Sequence, residues 1–431
     1  MGYNIWYVPS NSSHVGKNIV LMRRLREHGH DVRIICLDEL HSSMHWAADQ
    51  IDKLDFQYEN IPAKYFMREC PRIFKVSRIT KSLFKALQVR KLPGEIRNFL
   101  ESRDRPDVLI FSADVGPVSR CFVQTARRLG IRSILVGDGI FFSENNPRYK
   151  PEGFFRQLLG KCVTRISNFL HQTGHMGTSG VELIFVFNKT GKDWFLKCGI
   201  PSDQIMVVGS PEYEALAKLV SDPNPLDLRE VRERIGIPPD RPVVLFAHQP
   251  IIEGKDLERT ILELVEGCRR AGAALLVKFH PRSLERPESW RRWAEKQGLK
   301  SDEAVFVLKE CTPTEAILLC TAFVTAYSTM VFDAMTCRRP MVLIQYLNVP
   351  YVLDYTVQYG IAIDAHSEKD LADAVASIVG DEKLQERLSA NFPLAIQEEL
   401  NGLDGTSVDT MVEKIEQLVA SRRKNTKPHQ W

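Results

Sequence analysis

Long apolar runs are missing from this chain. Hydrophobic residues make up 44% of its 431 residues, yet no run approaches the roughly 20 consecutive apolar residues of a membrane-spanning helix. The sequence therefore predicts neither a transmembrane helix nor a signal peptide, and we expect a cytoplasmic protein. The length is sufficient for two cores of ordinary domain size.

Metal-binding and disulfide patterns are also missing. The nine cysteines are odd in number and include no Cys-x-x-Cys pair, which argues against a zinc site and a disulfide framework. His41 with His45, and His171 with His175, have the spacing of helical metal ligands, but no acidic or cysteine partner recurs nearby. No Asp-x-Asp follows a predicted strand. We therefore expect no metal and no cofactor.

Three apolar strands in the second half are predicted to end in polar residues. Residues 243–247 lead to His248, residues 274–279 lead to His280, Pro281 and Arg282, and residues 321–326 lead to Ser328 and Thr329. Because ligands of open α/β sheets bind at the carboxyl ends of strands, these side chains are candidates for one binding site. A lone histidine at a strand end is more often structural, but here three strands end in residues that could bind one ligand.

The segment around Ser328 predicts a phosphate site. A strand that turns into a helix through two hydroxyl residues aims the first helical N–H groups at one point. Asp333 follows about one turn later, where its carboxylate could accept hydrogen bonds from ribose hydroxyls. The alternative is an N-cap serine followed by an exposed aspartate.

Thr312, Pro313 and Glu315 form a capping-box pattern, which predicts a helix from Pro313 to about Cys320.

The first half predicts a doubly wound α/β domain. Residues 4–8 form a strand, 9–18 a polar loop, 19–28 a helix and 32–37 a second strand, which together make a βαβ unit. The polar loop is not a Walker A motif, because its glycine spacing is absent. A later strand, 133–136, ends in Gly137, Asp138 and Gly139, so Asp138 is a candidate general base. The alternative is that Asp138 has no catalytic role and is present because aspartate is favoured in turns.

The second-half motifs resemble those of known transferases. Tyr327-Ser328-Thr329, Phe332-Asp333 and Arg339-Pro340 resemble a segment of CDP-glycerol glycerophosphotransferases. Together with residues 278–282 they resemble bacterial capsule-polysaccharide transferases of the Kdo and polysialic acid type, in which a His-Pro motif and a Ser/Thr site hold a cytidine nucleotide. Residues 207–212 are similar to the Gly-x-Pro entry into the C-terminal domain of these enzymes.

The resemblance implies an α/β protein of the GT-B superfamily, with two Rossmann-like doubly wound domains facing across a cleft. UDP-N-acetylglucosamine 2-epimerase is related to this superfamily in architecture. We expect an acceptor-side domain over residues 1–204, a nucleotide-binding domain over 205–400, and a C-terminal helix and disordered tail over 401–431. The hinge is predicted in residues 221–242, and disorder from Arg422.

The resemblance also implies site residues. The catalytic residues would be Asp138 as the base and His280, and the acceptor side would include Ser13, His14 and Lys17. His14, Asp114 and Glu144 are the substitutes if Asp138 is not the base. The nucleotide would be held by His248, Lys278, His280, Arg282, Thr312, Glu315, Ser328, Thr329 and Asp333.

Charge indicates a second kind of partner. The net charge is only +3, but residues 64–105 hold twelve Lys or Arg against four acids, a local balance of 12 − 4 = +8. Apolar residues alternate with these cations at helical spacing, and a second such segment covers residues 153–171. The segments are either amphipathic helices that contact an anionic membrane, at the inner face of the cytoplasmic membrane, or ordinary core helices. Nucleic acid is not expected, because no RNA- or DNA-binding motif accompanies the charge.

Taken with the resemblance, these features predict a metal-independent glycosyltransferase. It would move a sugar from a CMP-, CDP- or UDP-linked donor to a surface-polysaccharide or lipid-linked glycan acceptor. A CDP-glycerol-type glycerophosphotransferase and a sugar-nucleotide 2-epimerase are the alternatives. His248-Gln249-Pro250-Ile251 replaces the His-Arg-x-Glu segment of the epimerases, which counts against the last. A non-catalytic domain that binds a nucleotide sugar is a further alternative.

Overall fold

The structure is a computed structural model. It describes residues 2–9, 12–38, 55–62, 66, 78–137, 174–222, 226–280, 283–347 and 352–425.

Within these ranges, seven strands form a first sheet in which every pair is parallel. The strands are β1 (Asn4–Val8), β2 (Asp31–Asp38), β3 (Gln57–Pro62), β4 (Val108–Phe111), β5 (Arg132–Gly137), β6 (Leu183–Val186) and β7 (Ile205–Val207). Their order in space is β3-β2-β1-β4-β5-β6-β7. The order reverses between β1 and β4, which is the switch point where doubly wound sheets bind ligands.

The described helices of this sheet follow its strands. They are α1 (Ser12–Glu27), α2 (Arg78–Glu101), α3 (Pro117–Arg128) and α4 (Lys189–Lys197). All four residues of β4 are buried, as expected for a parallel strand covered by helices on both faces.

Helix α1 corrects the predicted loop over residues 9–18. Val15, Asn18, Leu21, Met22 and Leu25 are all buried, so the buried face of the helix begins before residue 19. The sequence pattern did not predict this first part of α1, because Asn18, a polar residue, occupies a core position. Its amide donates to the hydroxyl of Tyr7 at 3.1 Å and to the carbonyl of His14 at 3.1 Å, which offsets the cost of burying it.

A second, six-stranded parallel sheet is formed by described residues of the second half. Its strands are β8 (Val243–Ala247), β9 (Ala274–Lys278), β10 (Ala304–Val307), β11 (Ala322–Thr325), β12 (Met341–Ile344) and β13 (Ala362–Ala365). Their order is β10-β9-β8-β11-β12-β13, so the switch point lies between β8 and β11. The first six positions of the first sheet have the same topology.

Eleven further helices follow residue 210 in the described part of the chain. They are α5 (Pro211–Val220), α6 (Leu228–Ile235), α7 (Gly254–Arg270), α8 (Pro287–Lys296), α9 (Pro313–Leu319), α10 (Val331–Thr336), α11 (Asp354–Gln358), α12 (Glu368–Gly380), α13 (Glu382–Ser389), α14 (Phe392–Glu399) and α15 (Ser407–Asn425). Short 3-10 turns cover Ser202–Gln204 and Asn401–Leu403.

The chain divides into two compact units. Described residues up to 212 and from 404 onward form the first unit, and residues 213–403 lie in the second. This corrects the predicted domain start at Ile205, because β7 pairs with β6 as the edge strand of the first sheet. It also corrects the predicted end of order at Arg422, because α15 continues to Asn425. Helix α6 lies within the predicted hinge, residues 221–242.

Helix α15 packs on the core of the first unit. Its Met411, Val412, Ile415 and Val419 are buried in one cluster with residues of β1 and α1. Two polar contacts reinforce this packing: Arg24 binds Asp409 at 2.7 Å, and Glu416 accepts from the His30 ring at 2.9 Å. The last helix is therefore an integral part of the first unit.

Candidate functional site

The switch point of the second sheet brings together the residues that follow β8 and β11. The hydroxyl of Thr325, the last residue of β11, donates to the carbonyl of Ala247, the last residue of β8, at 3.3 Å. His248 and Ser328 follow these two residues closely, and His280 follows the neighbouring strand β9. The structure thus places the three predicted strand ends on one edge of one sheet.

The turn after β11 is built from hydroxyl groups. Thr325 Oγ1 accepts from the N–H of Ser328 at 3.1 Å, and Ser328 Oγ accepts from the N–H of Met330 at 3.2 Å. Ser328 is buried, whereas Thr329 is exposed at the tip of the turn. Helix α10 begins directly afterwards at Val331 and carries half-buried Asp333 in its first turn. The predicted strand, turn and helix are therefore all present.

His248 is a buried, neutral histidine. Its Nε2 lies 3.0 Å from the carbonyl of Ile252 and must donate there, so Nδ1 is an acceptor. Among the described residues, no group donates to this buried Nδ1. Burial lowers the pKa of His248, although the bond to Ile252 opposes the shift. His248 therefore supplies one hydrogen-bond acceptor at the switch point rather than a positive charge.

Lys278 turns away from the predicted phosphate contact and toward the polypeptide. Its Nζ donates to the carbonyls of Cys311 at 2.7 Å and Leu308 at 3.1 Å, and the residue is only 7% exposed. Burial lowers the pKa of this ammonium. Within the described part of the chain, no carboxylate forms an ion pair with it. Lys278 thus fixes the loop between β10 and α9.

Thr312 and Glu315 form the capping box of α9, as predicted. The hydroxyl of Thr312 accepts from the N–H of Glu315 at 3.1 Å, and the Glu315 carboxylate accepts from the N–H of Thr312 at 2.7 Å. Glu315 also binds Arg234 at 2.7 Å. Partial burial would raise the pKa of Glu315, but these hydrogen bonds outweigh it and lower the pKa. Both side chains that were predicted to bind nucleotide therefore stabilise a helix start.

His280 is half-buried, and its carbonyl accepts from the N–H of Ser283 at 2.8 Å. Pro281 and Arg282, which follow it, lie outside the described residues, as do Asp138 and Glu144. Asp138 is the residue next to Gly137, where β5 ends.

The acceptor-side candidates lie in the first two turns of α1. The Nδ1 of His14 is 2.8 Å from Oγ of Ser112, the residue that follows β4, so this contact spans the switch point of the first sheet. Lys17 lies 3.8 Å from the carboxylate of Glu212. Ser13 belongs to α1, but its side chain is outside the described set.

Asp114, one of the substitute bases, has a structural position. It is fully buried and accepts from the N–H groups of Gly177 at 2.7 Å and Ser179 at 3.2 Å. A carboxylate that holds two backbone donors stabilises their loop and is shielded from a substrate.

Sequence analysis missed Ser112 and Thr325. Ser112 directly follows an entirely apolar strand, and Thr325 ends one. The strand-end rule that selected His248 and His280 would have found Ser112. Thr325 lies inside the apolar strand itself, so the strand-end rule does not select its hydroxyl.

The described residues contain no group of three or more His, Cys, Asp or Glu that could hold a metal ion. Their seven cysteines are free thiols. None of the described helices combines the length and the apolar character needed to cross a membrane.

The basic helix α2 has a buried and a solvated face. Val89, Leu92, Ile96 and Phe99 are buried, whereas Lys85, Arg90 and Lys91 are exposed. Leu87, which lies about one turn before Arg90 and Lys91, is also 48% exposed. The second predicted basic segment, residues 153–171, lies outside the described residues.

Comparisons with known proteins agree with this architecture. Residues 181–387 match the model of the CDP-Glycerol:Poly(glycerophosphate) glycerophosphotransferase family. The sequence matches no curated protein.

Solved structures resemble the chain over nearly its whole length. UDP-GlcNAc 2-epimerase from Neisseria meningitidis bound to UDP-GlcNAc is 14% identical, with a TM-score of 0.60 over 96% of this chain and 99% of that one. The calicheamicin glycosyltransferase CalG4 is 14% identical, with a TM-score of 0.57 over 97% and 98%. A variant of the wall teichoic acid polymerase TagF is 12% identical, with a TM-score of 0.56 over 98% and 90%. Together with the two parallel sheets, this likeness defines the GT-B fold.

Proposed function

We propose that this protein is a transferase that uses a nucleotide-activated donor, and that the donor nucleotide binds at the carboxyl edge of the second sheet. The observation that carries the proposal is the convergence of His248, His280 and the Ser328 turn at that edge. In doubly wound sheets the switch point is where nucleotides bind. The family-model match over residues 181–387 covers the same strands.

The transferred group is proposed to be a sugar from a CMP-, CDP- or UDP-linked donor. An acceptor hydroxyl, on a surface polysaccharide or lipid-linked glycan, would attack the sugar carbon, and the bond between that carbon and the phosphate oxygen would break. The hydroxyl proton would pass to Asp138 as the general base. The first unit, with His14 and Lys17, would serve the acceptor.

The leaving phosphate is proposed to be held without a metal. The hydroxyls of Ser328 and Thr329 and the side chain of His280 would stabilise its developing charge. The buried ammonium of Lys278 would add a favourable field, although its hydrogen bonds go to carbonyls. No cofactor beyond the donor is proposed.

A glycerophosphotransferase is the second candidate, and the family-model match favours it. There, the acceptor hydroxyl would attack phosphorus instead of a sugar carbon, and CMP would leave. The same strand-end residues would hold the cytidine nucleotide, so only turnover of the two donor types separates the candidates. A 2-epimerase is the third candidate, with fold likeness in its favour and the segment after His248 against it.

Nucleotide binding tests the shared part of these candidates. CMP, CDP, UDP and GDP would be titrated into the wild type and His280→Ala, since a ligand that binds only the folded state raises the melting temperature. The matched control is His366→Ala, because exposed His366 follows β13, about 19 Å away along the same sheet edge. A cytidine-selective shift that only His280→Ala loses supports a CMP-sugar or CDP-alcohol donor. A uridine-selective shift favours a UDP-sugar, and no shift with any nucleotide would refute the site.

Contact with an anionic membrane is a separate proposal. It is supported by the exposed cations Arg90 and Lys91, which lie about one turn from exposed Leu87 on α2, and by exposed Lys85 in the same helix. Basic residues near anionic lipid contribute about 1 kcal/mol each.

A further inference from the structure

A pocket of about 410 Å³ opens in the first unit among the turns that lead into β5, β6 and β7. The first turn contributes Arg127 and Arg132, the second contributes Gly180 and Glu182, and Gln204 comes from the third. Its volume is within the range of sites that bind small molecules.

The pocket is separate from the site described above. The strands are parallel, so the turns that precede them meet at the amino edge of the sheet. His14 and Ser112 lie at the opposite, carboxyl edge. The six residues of β5 separate the two edges by about 20 Å.

The pocket carries a net positive charge. Arg127 is exposed, and among the described residues it makes no ion pair or side-chain hydrogen bond. Arg132 forms an ion pair with Glu182, so two guanidinium groups face one carboxylate. The Nε of Arg132 is buried and has no acceptor within the described part of the chain. This buried donor leaves the guanidinium of Arg132 incompletely hydrogen-bonded beside the pocket, which is unfavourable.

Glycine at position 180 lets the second turn pass close to Arg127. Its φ is +98°, which is strained for any residue with a side chain. A Cβ placed there would lie 3.4 Å from Nη1 of Arg127, so the glycine also keeps the space beside this guanidinium clear.

We propose that this pocket binds a small organic anion through a phosphate or carboxylate group held by Arg127. The planar guanidinium can hold either group with two parallel hydrogen bonds, and Gln204 offers an amide to the rest of the ligand. Arg132 also donates to the hydroxyl of Ser421 on α15 at 3.3 Å.

Calorimetric titration with defined anions tests the proposal. The probes are inorganic phosphate, glucose 6-phosphate and citrate, with glucose as the uncharged control, and the proteins are the wild type, Arg127→Gln and Arg128→Gln. Arg128 is the matched control, because it is the next exposed arginine of α3 and does not line the pocket. We expect at least one anion to bind and its Kd to rise about tenfold in Arg127→Gln alone, as for loss of a bidentate charged contact.

The same titration on His280→Ala separates this site from the proposed nucleotide site. Unchanged anion binding there supports a second site, even if no nucleotide binds the protein. Three results would overturn the proposal: no probe anion binds, both arginine variants weaken binding equally, or binding is lost only in His280→Ala. Preference for glucose 6-phosphate or citrate, with the same dependence on Arg127, supports it and identifies the anionic group.

Discussion

His14 Nδ1 lies 2.8 Å from Ser112 Oγ, and the contact joins the helix that follows β1 to the residue that follows β4. The carbonyl of His14 is fixed as well, because it accepts from the hydroxyl of Tyr7 at 2.8 Å. The imidazole is thus held in place at the switch point of the first sheet, the position expected for contact with the acceptor.

His14→Ala is expected to lower the transfer rate about tenfold to hundredfold while leaving nucleotide binding unchanged, because His14 belongs to the first unit. The measurement is steady-state turnover with the donor that the binding experiment identifies. His175→Ala, at an exposed position of the same unit, is the control. Full activity in His14→Ala would remove His14 from the site.

Lys278→Met is expected to reduce the free energy of unfolding by about 1–3 kcal/mol, because the buried carbonyl of Cys311 and the partly buried carbonyl of Leu308 lose their donor. Urea unfolding measures the loss. Lys309→Met, an exposed position in the same loop, should stay within about 0.5 kcal/mol of the wild type. Equal stability of the two variants would contradict the positioning role of Lys278.

Thr312→Ala is expected to destabilise the second unit by about 1 kcal/mol, since the first turn of α9 loses its cap. Thr312→Ser keeps the hydroxyl and should retain most of that stability. Nucleotide-induced thermal shifts should be the same in both variants. If Thr312→Ala lost the nucleotide shift at wild-type stability, Thr312 would be a binding residue after all.

His248 is expected to make stability depend on pH. Burial lowers its pKa from 6.5, so the unfolded chain binds a proton more readily than the folded protein. The stability that neutral His248 contributes is fully present above about pH 6.5. It declines as the pH falls from there toward the lowered pKa of the folded protein, by at most about 1.4 kcal/mol per pH unit. Between pH 8 and pH 5, the melting temperature of the wild type should fall relative to that of His248→Phe. His366→Phe is the exposed control, and parallel curves for His248→Phe would refute the effect.

Replacing Lys85, Arg90 and Lys91 together with Gln is expected to weaken binding to vesicles of anionic lipid by about a hundredfold, from about 1 kcal/mol per cation. Co-sedimentation measures the binding. The control removes three exposed lysines of the second unit, Lys300, Lys369 and Lys383, so the net charge is the same. Equal loss in both variants, or no binding by the wild type, would contradict a membrane role for α2.

Local sequence signals predicted much of the fold. The apolar runs that became β8, β9 and β11, the capping box of α9 and the GT-B class were all confirmed. These features depend on short-range patterns, namely uninterrupted apolar residues and a helix-start motif.

Features that depend on tertiary contacts were not predictable in the same way. The family resemblance implies that Lys278 binds the nucleotide, but its ammonium donates to carbonyls that are 30 and 33 residues away in the sequence. The Gly-x-Pro motif that follows Ile205 predicts the start of a domain there. The strand that begins at Ile205 pairs with β6, however, and so belongs to the first sheet. The neutral state of His248 likewise follows from burial, which its sequence position does not reveal.

The attachment of α15 to the first unit has a consequence for synthesis. Residues 213–403 are continuous in the chain, so the second unit can complete its described strands while later residues are still on the ribosome. Most of the first unit is made earlier. It lacks the apolar face of α15, formed by Met411, Val412, Ile415 and Val419, until this helix has been made. Its core therefore closes last, and the surface of β1 and α1 that packs on α15 stays exposed until this helix has been made.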